Sequence, residues 1–266
     1  MSWIKYQAGL QWLLFAATFL AVAIWETACQ RRPLKFPPEK RWANHGVLLI
    51  LSTIVGSLVF RMSAVAMAGM AATTRLGLLN KPWLPFAVKW ACAIVVLDFV
   101  RYATHRAFHS VPMLWRVHEV HHSDPDYDAS TAARFHPLES LVDRAVFVTG
   151  VVLLAAPPVA VFSADLISTA LNVFVHANAS LPVGIESFTR RLIITPDLHR
   201  IHHSEDLDGQ ATNFGQIFGC WDRLFGTYRQ GQAIRDQSIN TGVKGLQNAV
   251  SLEVQFMLRE PFRNAD

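Results

Sequence analysis

Cysteine and charge are both scarce in this chain of 266 residues. Its three cysteines, Cys29, Cys92 and Cys220, are scattered and show no Cys-x-x-Cys spacing. That excludes a disulfide framework and a thiolate zinc site, and each thiol reads as a small buried or interfacial side chain. Charged residues make up 17% of the chain and hydrophobic ones 52%, against roughly 25% charged in an average soluble domain. No haem-attachment motif, glycine-rich dinucleotide fingerprint, ferredoxin cysteine set, internal repeat or low-complexity segment occurs. The net charge of +4 needs no nucleic-acid partner, because basic loops account for it.

The missing charge is concentrated in long apolar stretches, which points to an integral membrane protein. Gly9 to Trp25 carries no charge until Glu26, and Val47 to Ala72 is broken only by Arg61 and a few hydroxyls. Both approach or exceed the ~18–20 residues that cross a ~30 Å hydrocarbon layer. Pro82 to Val100 contains Lys89 and Asp98. Ala145 to Val175 is divided by Pro157-Pro158, which disrupts a helix and predicts a hairpin of two short, re-entrant helices. The expected spans are therefore 8–27, 47–71, 82–104, 143–157 and 159–177. The first stretch is too long for a signal peptide and lacks a small-x-small cleavage site.

Between the first two spans lie Arg31, Arg32, Lys35, Lys40 and Arg41 against Glu39 alone, whereas the next connection offers Arg75 and Lys81. The positive-inside rule makes the first loop cytoplasmic. It also sets the sequence after each inward-returning span, 105–140 and 178–266, on the cytoplasmic side as a helical cap. The stretch 31–40, with Pro33, Pro37 and Pro38, reads as a linker.

What the chain does have is histidine. Ten of its eleven histidines fall between His105 and His203. His105-x3-His109, His118-x2-His121-His122 and His199-x2-His202-His203 use i, i+3 and i+4 spacings, which put imidazoles on one helix face about 5–6 Å apart. A helix from Trp83 to His109 would be roughly 40 Å long at 1.5 Å per residue, so its last turns emerge from the membrane. Along it Asp98, Tyr102, His105 and His109 form one polar stripe, with Asp98 placed to orient an imidazole. Pro112 opens the helix of the second cluster. Thr195-Pro196-Asp197 starts that of the third, with a hydroxyl cap and proline at the first helical position. His136 and His176 join the set, while His45 in the basic loop reads as a surface histidine.

Packing gives no reason for such repeated histidine spacings, and so many imidazoles without a ligand would crowd polar groups into a poorly solvated pocket. They predict metal. His118-Glu119-Val-His121-His122 also satisfies the zinc-peptidase pattern His-Glu-x-x-His, but that reading leaves two clusters without purpose. A non-catalytic metal carrier is a third reading, disfavoured because the ligands cluster at helix ends rather than within spans. Eight or more nitrogen donors suit two transition metals. Imidazole accepts zinc, copper, iron and nickel alike, while open positions beside a bilayer favour iron and oxidation of apolar substrates.

Asp98-Phe-Val-Arg-Tyr102, the three histidine clusters, Arg134-Phe-His136-Pro-Leu-Glu139, Thr195-Pro-Asp197, Asn213-Phe-Gly215 and Trp221 to Tyr228 together resemble the fatty acid hydroxylase/sterol desaturase superfamily of integral membrane di-iron enzymes, over Val88 to Tyr228. The resemblance implies an all-α membrane bundle and a pair of iron ions held by His105, His109, His118, His121, His122, His176, His199, His202 and His203. His136 is a further family position, Asp98, Asn178 and Asp197 are candidate orienting residues, and zinc would fill the same ligands in purified protein. Dioxygen is the implied co-substrate. A membrane lipid (sterol, fatty acyl or related) would be hydroxylated or desaturated, and a separate cytochrome b5-like or ferredoxin/reductase donor would dock on the basic face of Arg31, Arg32 and Lys35. Trp221 to Tyr228 is expected to pack the cap against the membrane.

Overall fold

The computed structural model describes residues 2–74, 76–230 and 239–263. Arg75 and the parts of the expected cap at 231–238 and 264–266 lie outside the described residues. The fold is helical, without a named strand among the described residues, as the sequence predicts. Its long helices are α1 (Gln7–Ala28), α2 (Pro38–Val59), α3 (Ala64–Thr73), α4 (Phe86–Ser110), α5 (Pro112–His122), α6 (Pro137–Leu154) and α7 (Pro158–Val175).

Three helical stretches, Ile4–Ala28, Pro38–Thr73 and Pro158–Val175, are long and apolar enough to cross a membrane. Their outward side chains fit a lipid-facing surface: Leu13, Leu20, Ile24 and Leu58 are all more than 60% exposed. The stretch expected as one span at 47–71 is interrupted between α2 and α3, where the Ser63 hydroxyl caps the new helix by accepting from the Ala66 amide. α4 is not among the three stretches. It carries Lys89, Asp98 and Arg101, and Asp98 is buried. The first arm of the hairpin starts at Pro137, ahead of the expected 143, while the second lies close to the expected 159–177. α6 and α7 have 18 residues each, joined where Ala155 turns left-handed (φ 49°) before the two prolines. At 1.5 Å per residue each reaches about 27 Å, so α7 is not a short re-entrant piece.

α4, α6 and α7 enclose the bundle core. Ala93, Leu97, Val151, Ala160, Val161 and Ala164 are essentially inaccessible there. α1 packs on α7, and α2 on α6. Beyond them the chain forms the cap from α5 and two later helices, α8 (Val183–Thr189) and α9 (Pro196–His202).

The basic linker is a strap across this cap, not an open loop. The Arg31 amide donates to the Asn178 carbonyl, and the Arg31 guanidinium pairs with Asp197. Arg32 reaches the Ile239 carbonyl at 2.8 Å and the Thr241 hydroxyl. The Lys35 and Phe36 amides both donate to Asp126. Arg41 is fully buried, bidentate to Asp124 and paired with Asp128. Of the donor-docking face expected from Arg31, Arg32 and Lys35, Arg31 is buried and paired and Arg32 is half-buried and bonded, while Lys35 is exposed. His45, expected at the surface, is inaccessible too. Its Nδ1 donates to the Ser130 hydroxyl at 2.9 Å, and its Nε2 accepts from Arg134 at 3.1 Å. All three cysteines are exposed.

Candidate metal centre

α4 delivers His105 and His109, α5 delivers His118, His121 and His122, and α9 delivers His199, His202 and His203. The expected helix starts hold. Pro112 opens α5, and the Thr195 hydroxyl accepts from the Leu198 amide with Pro196 at the first helical position of α9. His176 caps the end of α7.

These nine imidazoles converge as two groups. His105, His109, His118, His122 and His202 bring one nitrogen each to within 4.8 Å of one another; so do His121, His176, His199 and His203. Sequence spacing did not reveal this division. His122 and His203 share a wall, stacked 4.2 Å apart, while belonging to different groups.

The outer nitrogens explain how the rings are held. His105 Nδ1 donates to the Phe214 carbonyl (2.9 Å), His202 Nδ1 to Thr212 (2.8 Å), His176 Nδ1 to Asn172 (2.7 Å) and His121 Nδ1 to Arg134 (3.3 Å). A carbonyl can only accept, so each bond puts the ring proton on Nδ1 and leaves Nε2 as a bare lone pair. One backbone detail supplies two of these acceptors. Asn213 adopts φ 55°, a left-handed conformation asparagine tolerates, and its flanking carbonyls, Thr212 and Phe214, serve His202 and His105.

The inward nitrogens are where a cation fits. His176 Nε2 lies 3.1–3.3 Å from the Nε2 atoms of His121, His199 and His203. His121 and His176 both carry their protons on Nδ1, so their Nε2 lone pairs face each other at 3.2 Å and repel unless something positive sits between them. In the other group the Nε2 atoms of His109, His118, His122 and His202 are buried without any partner. Such orphaned acceptors are costly in a dry interior. Burial, followed by the neighbouring imidazoles, pushes His118, His121, His122, His199 and His203 well below the ordinary histidine range. Burial, with His105 next in weight, does the same for His202. Neutral imidazole is the ligating form, so the donor set fits two transition-metal ions.

One orienting side chain escaped the sequence reading. His118 Nδ1 lies 2.6 Å from Glu139 Oε1, with both side chains buried. His136, expected as a ligand, stands outside both groups. Its Nδ1 caps α6 by accepting from the Leu138 amide, and its Nε2 faces the Leu258 carbonyl at 3.4 Å. It starts the helix whose first turn presents Glu139, so in Arg134-Phe-His136-Pro-Leu-Glu139 the residue that reaches the site is the glutamate.

The three expected orienting residues serve the scaffold instead. Asp98 accepts from the Ile217 and Phe218 amides and from Trp221 Nε1. Two turns separate it from His105, about 10 Å along the axis, too far to reach the ring. Asn178 ties Arg32 and Arg200 together, and Asp197 pairs with Arg31. Trp221 and Phe225 pack on α4 through Phe99 and Tyr102. Glu119, the would-be base of a peptidase, has Glu260 and Arg116 as its charged neighbours, and both its flanking histidines belong to the five-membered group.

A cavity of about 470 Å³ opens beside the groups, walled by His105, His118, His121, His176 and His199 and running between the long helices.

Known proteins resemble the chain in sequence. The chain is 30% identical over 161 residues to an ornithine lipid hydroxylase of Rhizobium tropici, covering 60% of this chain and 47% of that protein. It is 31% identical over 153 residues to the alkylglycerol monooxygenase of Homo sapiens, covering 57% of this chain and 33% of that protein. A fatty acid hydroxylase of Lecanicillium sp. is 25% identical, with 65% of this chain and 50% of that protein covered. The chain thus spans half or less of the length of these relatives. No solved structure matches it. The fatty acid hydroxylase family model matches residues 90–227, just over half of the chain and all nine converging histidines, and the chain belongs to that family.

Proposed function

We propose that this protein is an oxygen-dependent di-iron monooxygenase that hydroxylates an unactivated C–H bond of a membrane lipid. One observation carries the reading: nine neutral imidazoles split into two groups of inward-facing nitrogens, beside a cavity that five of them wall. Membership of the family and the hydroxylase and monooxygenase names of its relatives favour hydroxylation over desaturation.

Iron bound at both groups would supply the dioxygen chemistry, in which C–H, dioxygen, two electrons and two protons become C–OH and water. The chain's own contribution is positional. Carbonyls of Arg134, Asn172, Thr212 and Phe214 hold the Nδ1 protons, and Glu139 serves His118 in the same way. The rings are then locked with their lone pairs inward before any ligand arrives, which is preorganisation. The cavity places apolar walls, among them Phe108, Phe135 and Phe147, beside the histidines that line it.

The proposed topology is multi-pass, with the cap on the cytoplasmic side. The basic linker is bonded directly to the cap through Arg31 and Asn178, so the two share one side of the bundle, and the positive-inside rule assigns that side to the cytoplasm. A donor protein of cytochrome b5 or ferredoxin type is the proposed electron source.

The test is oxygen uptake by the reduced, iron-loaded protein with extracted membrane lipids, followed by mass spectrometry. A lipid gaining one oxygen in step with uptake supports the reading, with His202→Ala abolishing both. Peptidase activity sensitive to Glu119→Gln, or metal binding without oxygen uptake, would overturn it.

A further inference from the structure

The cavity beside the histidines is walled by apolar side chains such as Leu49, Val65, Phe108 and Phe147, and by charged ones as well. Arg101 of α4, Asp143 and Arg144 of α6, and Asp165 of α7 all contribute to its wall. Of these, Asp165 lies on a helix long and apolar enough to cross a membrane, where an ionisable side chain is rare, faces the interior and marks the path of a substrate or ion. Two of these four satisfy each other. Arg101 donates to Asp165 at 2.7 Å and to the Ser168 hydroxyl at 3.0 Å, with its guanidinium 4.2 Å from the Phe147 ring centre.

The other two do not. Asp143 and Arg144 are consecutive on α6, and consecutive helix residues point in different directions rather than at each other. Among the described residues neither makes an ion pair, and the Arg144 Nε is buried without an acceptor. Its guanidinium lies 5.6 Å from the centre of the Phe60 ring. A cation and an anion outside any ion pair therefore share one half-buried wall. Their charged neighbours, Asp165 for Arg144 and Arg101 for Asp143, are already bonded to each other, so an opposite charge from a ligand would offset a remaining desolvation cost.

We infer that this cavity takes its lipid by a zwitterionic headgroup, an anionic group on Arg144 and an ammonium on Asp143. Glu139, also in the wall, is engaged by His118, and Arg101 by Asp165. One cation and one anion remain, which a ligand with both charges answers, whereas a fatty acid anion or an amine would answer only one. An uncharged alcohol would leave both charges unanswered. The volume of about 470 Å³ is within the range of small-ligand pockets and holds a headgroup with the adjoining carbons. Placement follows from helix geometry. Asp143 is one turn from Glu139, which touches His118, and Arg101 is one turn from His105, each about 6 Å along its axis. A headgroup anchored there sets its own carbons, not the far end of an acyl chain, beside the histidine groups. This substrate class rests on the lipid-oxidising function proposed above.

The test is binding to the detergent-purified, metal-loaded protein, using Nα-palmitoyl-lysine as the zwitterionic probe against 1-O-hexadecylglycerol and palmitate. The expected result is binding of the zwitterion at least tenfold tighter than either comparator. Arg144→Gln and Asp143→Asn should each weaken it about tenfold while leaving hexadecylglycerol binding unchanged, and Arg144→Lys should restore most of it. Unaltered metal content and melting temperature in the variants verify that they fold. Equal or tighter binding of hexadecylglycerol or palmitate, or unchanged zwitterion binding in both variants, overturns the inference. Hydroxylation of hexadecylglycerol with indifference to the zwitterion would sink this assignment alone. Zwitterion binding without oxygen uptake would sink the proposed function and leave the headgroup site standing.

Discussion

Glu139 offers the sharpest test of how the histidine groups are built. It is the only side-chain carboxylate bonded to a converging imidazole among the described residues; the other orienting acceptors are backbone carbonyls, apart from the neighbouring rings themselves. Burial, reinforced by Asp143, pushes its carboxyl well above the ordinary range, so its ionised form needs a cation nearby. A metal among His105, His109, His118, His122 and His202 would supply that charge, and metal binding is then linked to ionisation of Glu139. Removing a partner that orients a ligating imidazole typically costs 10–100-fold in metal affinity, or about 1.4–2.7 kcal/mol. Glu139→Gln keeps an acceptor for the His118 Nδ1 proton and is expected at the lower figure. Glu139→Leu strands that buried donor and is expected at the upper one. The effect should be confined to the five-histidine group, because His121 and His176 of the other are held by the Arg134 and Asn172 carbonyls. Metal content measured by mass spectrometry after dialysis against graded chelator reads this directly. The first equivalent should leave Glu139→Leu at tenfold or more lower chelator than the wild type, and the second at the same concentration. If both equivalents leave in step, or neither shifts, the carboxylate does not orient a ligand and the division into two groups is wrong.

Metal-free protein should lose stability abruptly as pH falls below about 6.5, where unfolded imidazoles take up protons that the folded ones, with depressed pKa values, refuse. Six such histidines in the cap, at about 1.4 kcal/mol per pH unit each, give a slope near 8 kcal/mol per unit, and a melting temperature flat from pH 7.5 to 5 would refute it. Arg41→Ala should cost about 3–5 kcal/mol by leaving Asp124 and Asp128 buried and unpaired, read by chemical denaturation. Thr195→Ala removes the cap of α9 and should cost about 1 kcal/mol, together with weaker metal retention by His199; unchanged retention would show that the start of α9 does not position the ring. Arg31→Gln should lower the melting temperature as well as electron-transfer rates, because Arg31 holds Asp197; slower reduction at unchanged stability would restore the docking role that the sequence suggested.

Which parts of the site could be read from the sequence follows from the range of the forces involved. Helix starts at Pro112 and Thr195-Pro196 depend on neighbours a few residues apart, and they stand where the pattern put them. The ligand clusters were legible because i, i+3 and i+4 spacing is itself local. The split into five and four was not, since His122 and His203 are adjacent in sequence to members of the opposite group and only the crossing of α4, α5 and α9 separates them. Asp98 lay on the right stripe but two turns from the rings, and a loop some 120 residues later claims both its oxygens. Glu139 was in view as part of a motif, yet the neighbouring histidine drew the assignment because imidazole is the usual ligand. The left-handed Asn213 was the available clue to the carbonyls of Thr212 and Phe214, since an asparagine before Phe-Gly suggests a chain reversal.

The basic linker shows why counting charges misleads in a cap of this kind. The apolar residues are largely committed to the bundle, so the cap is held by buried polar contacts: Arg41 with Asp124 and Asp128, Arg31 with Asp197, and Glu186 with Arg190 and Thr195. Buried ion pairs are weak evidence of stability, because desolvation offsets most of the attraction. Their bonds are directional, however, and that is what nine converging imidazoles require. Arg134 makes the point within one residue. Its guanidinium bonds Val120, Ser123, His45 and Ser251, while its carbonyl accepts from His121. A hydrophobic replacement of that network could preserve the fold and still let α5 shift, and a shift of about 1 Å is enough to spoil a preorganised site. Arg134→Met should therefore loosen metal retention in the four-histidine group by more than any accompanying fall in melting temperature explains. An equal loss of both would mean that the network merely stabilises the cap.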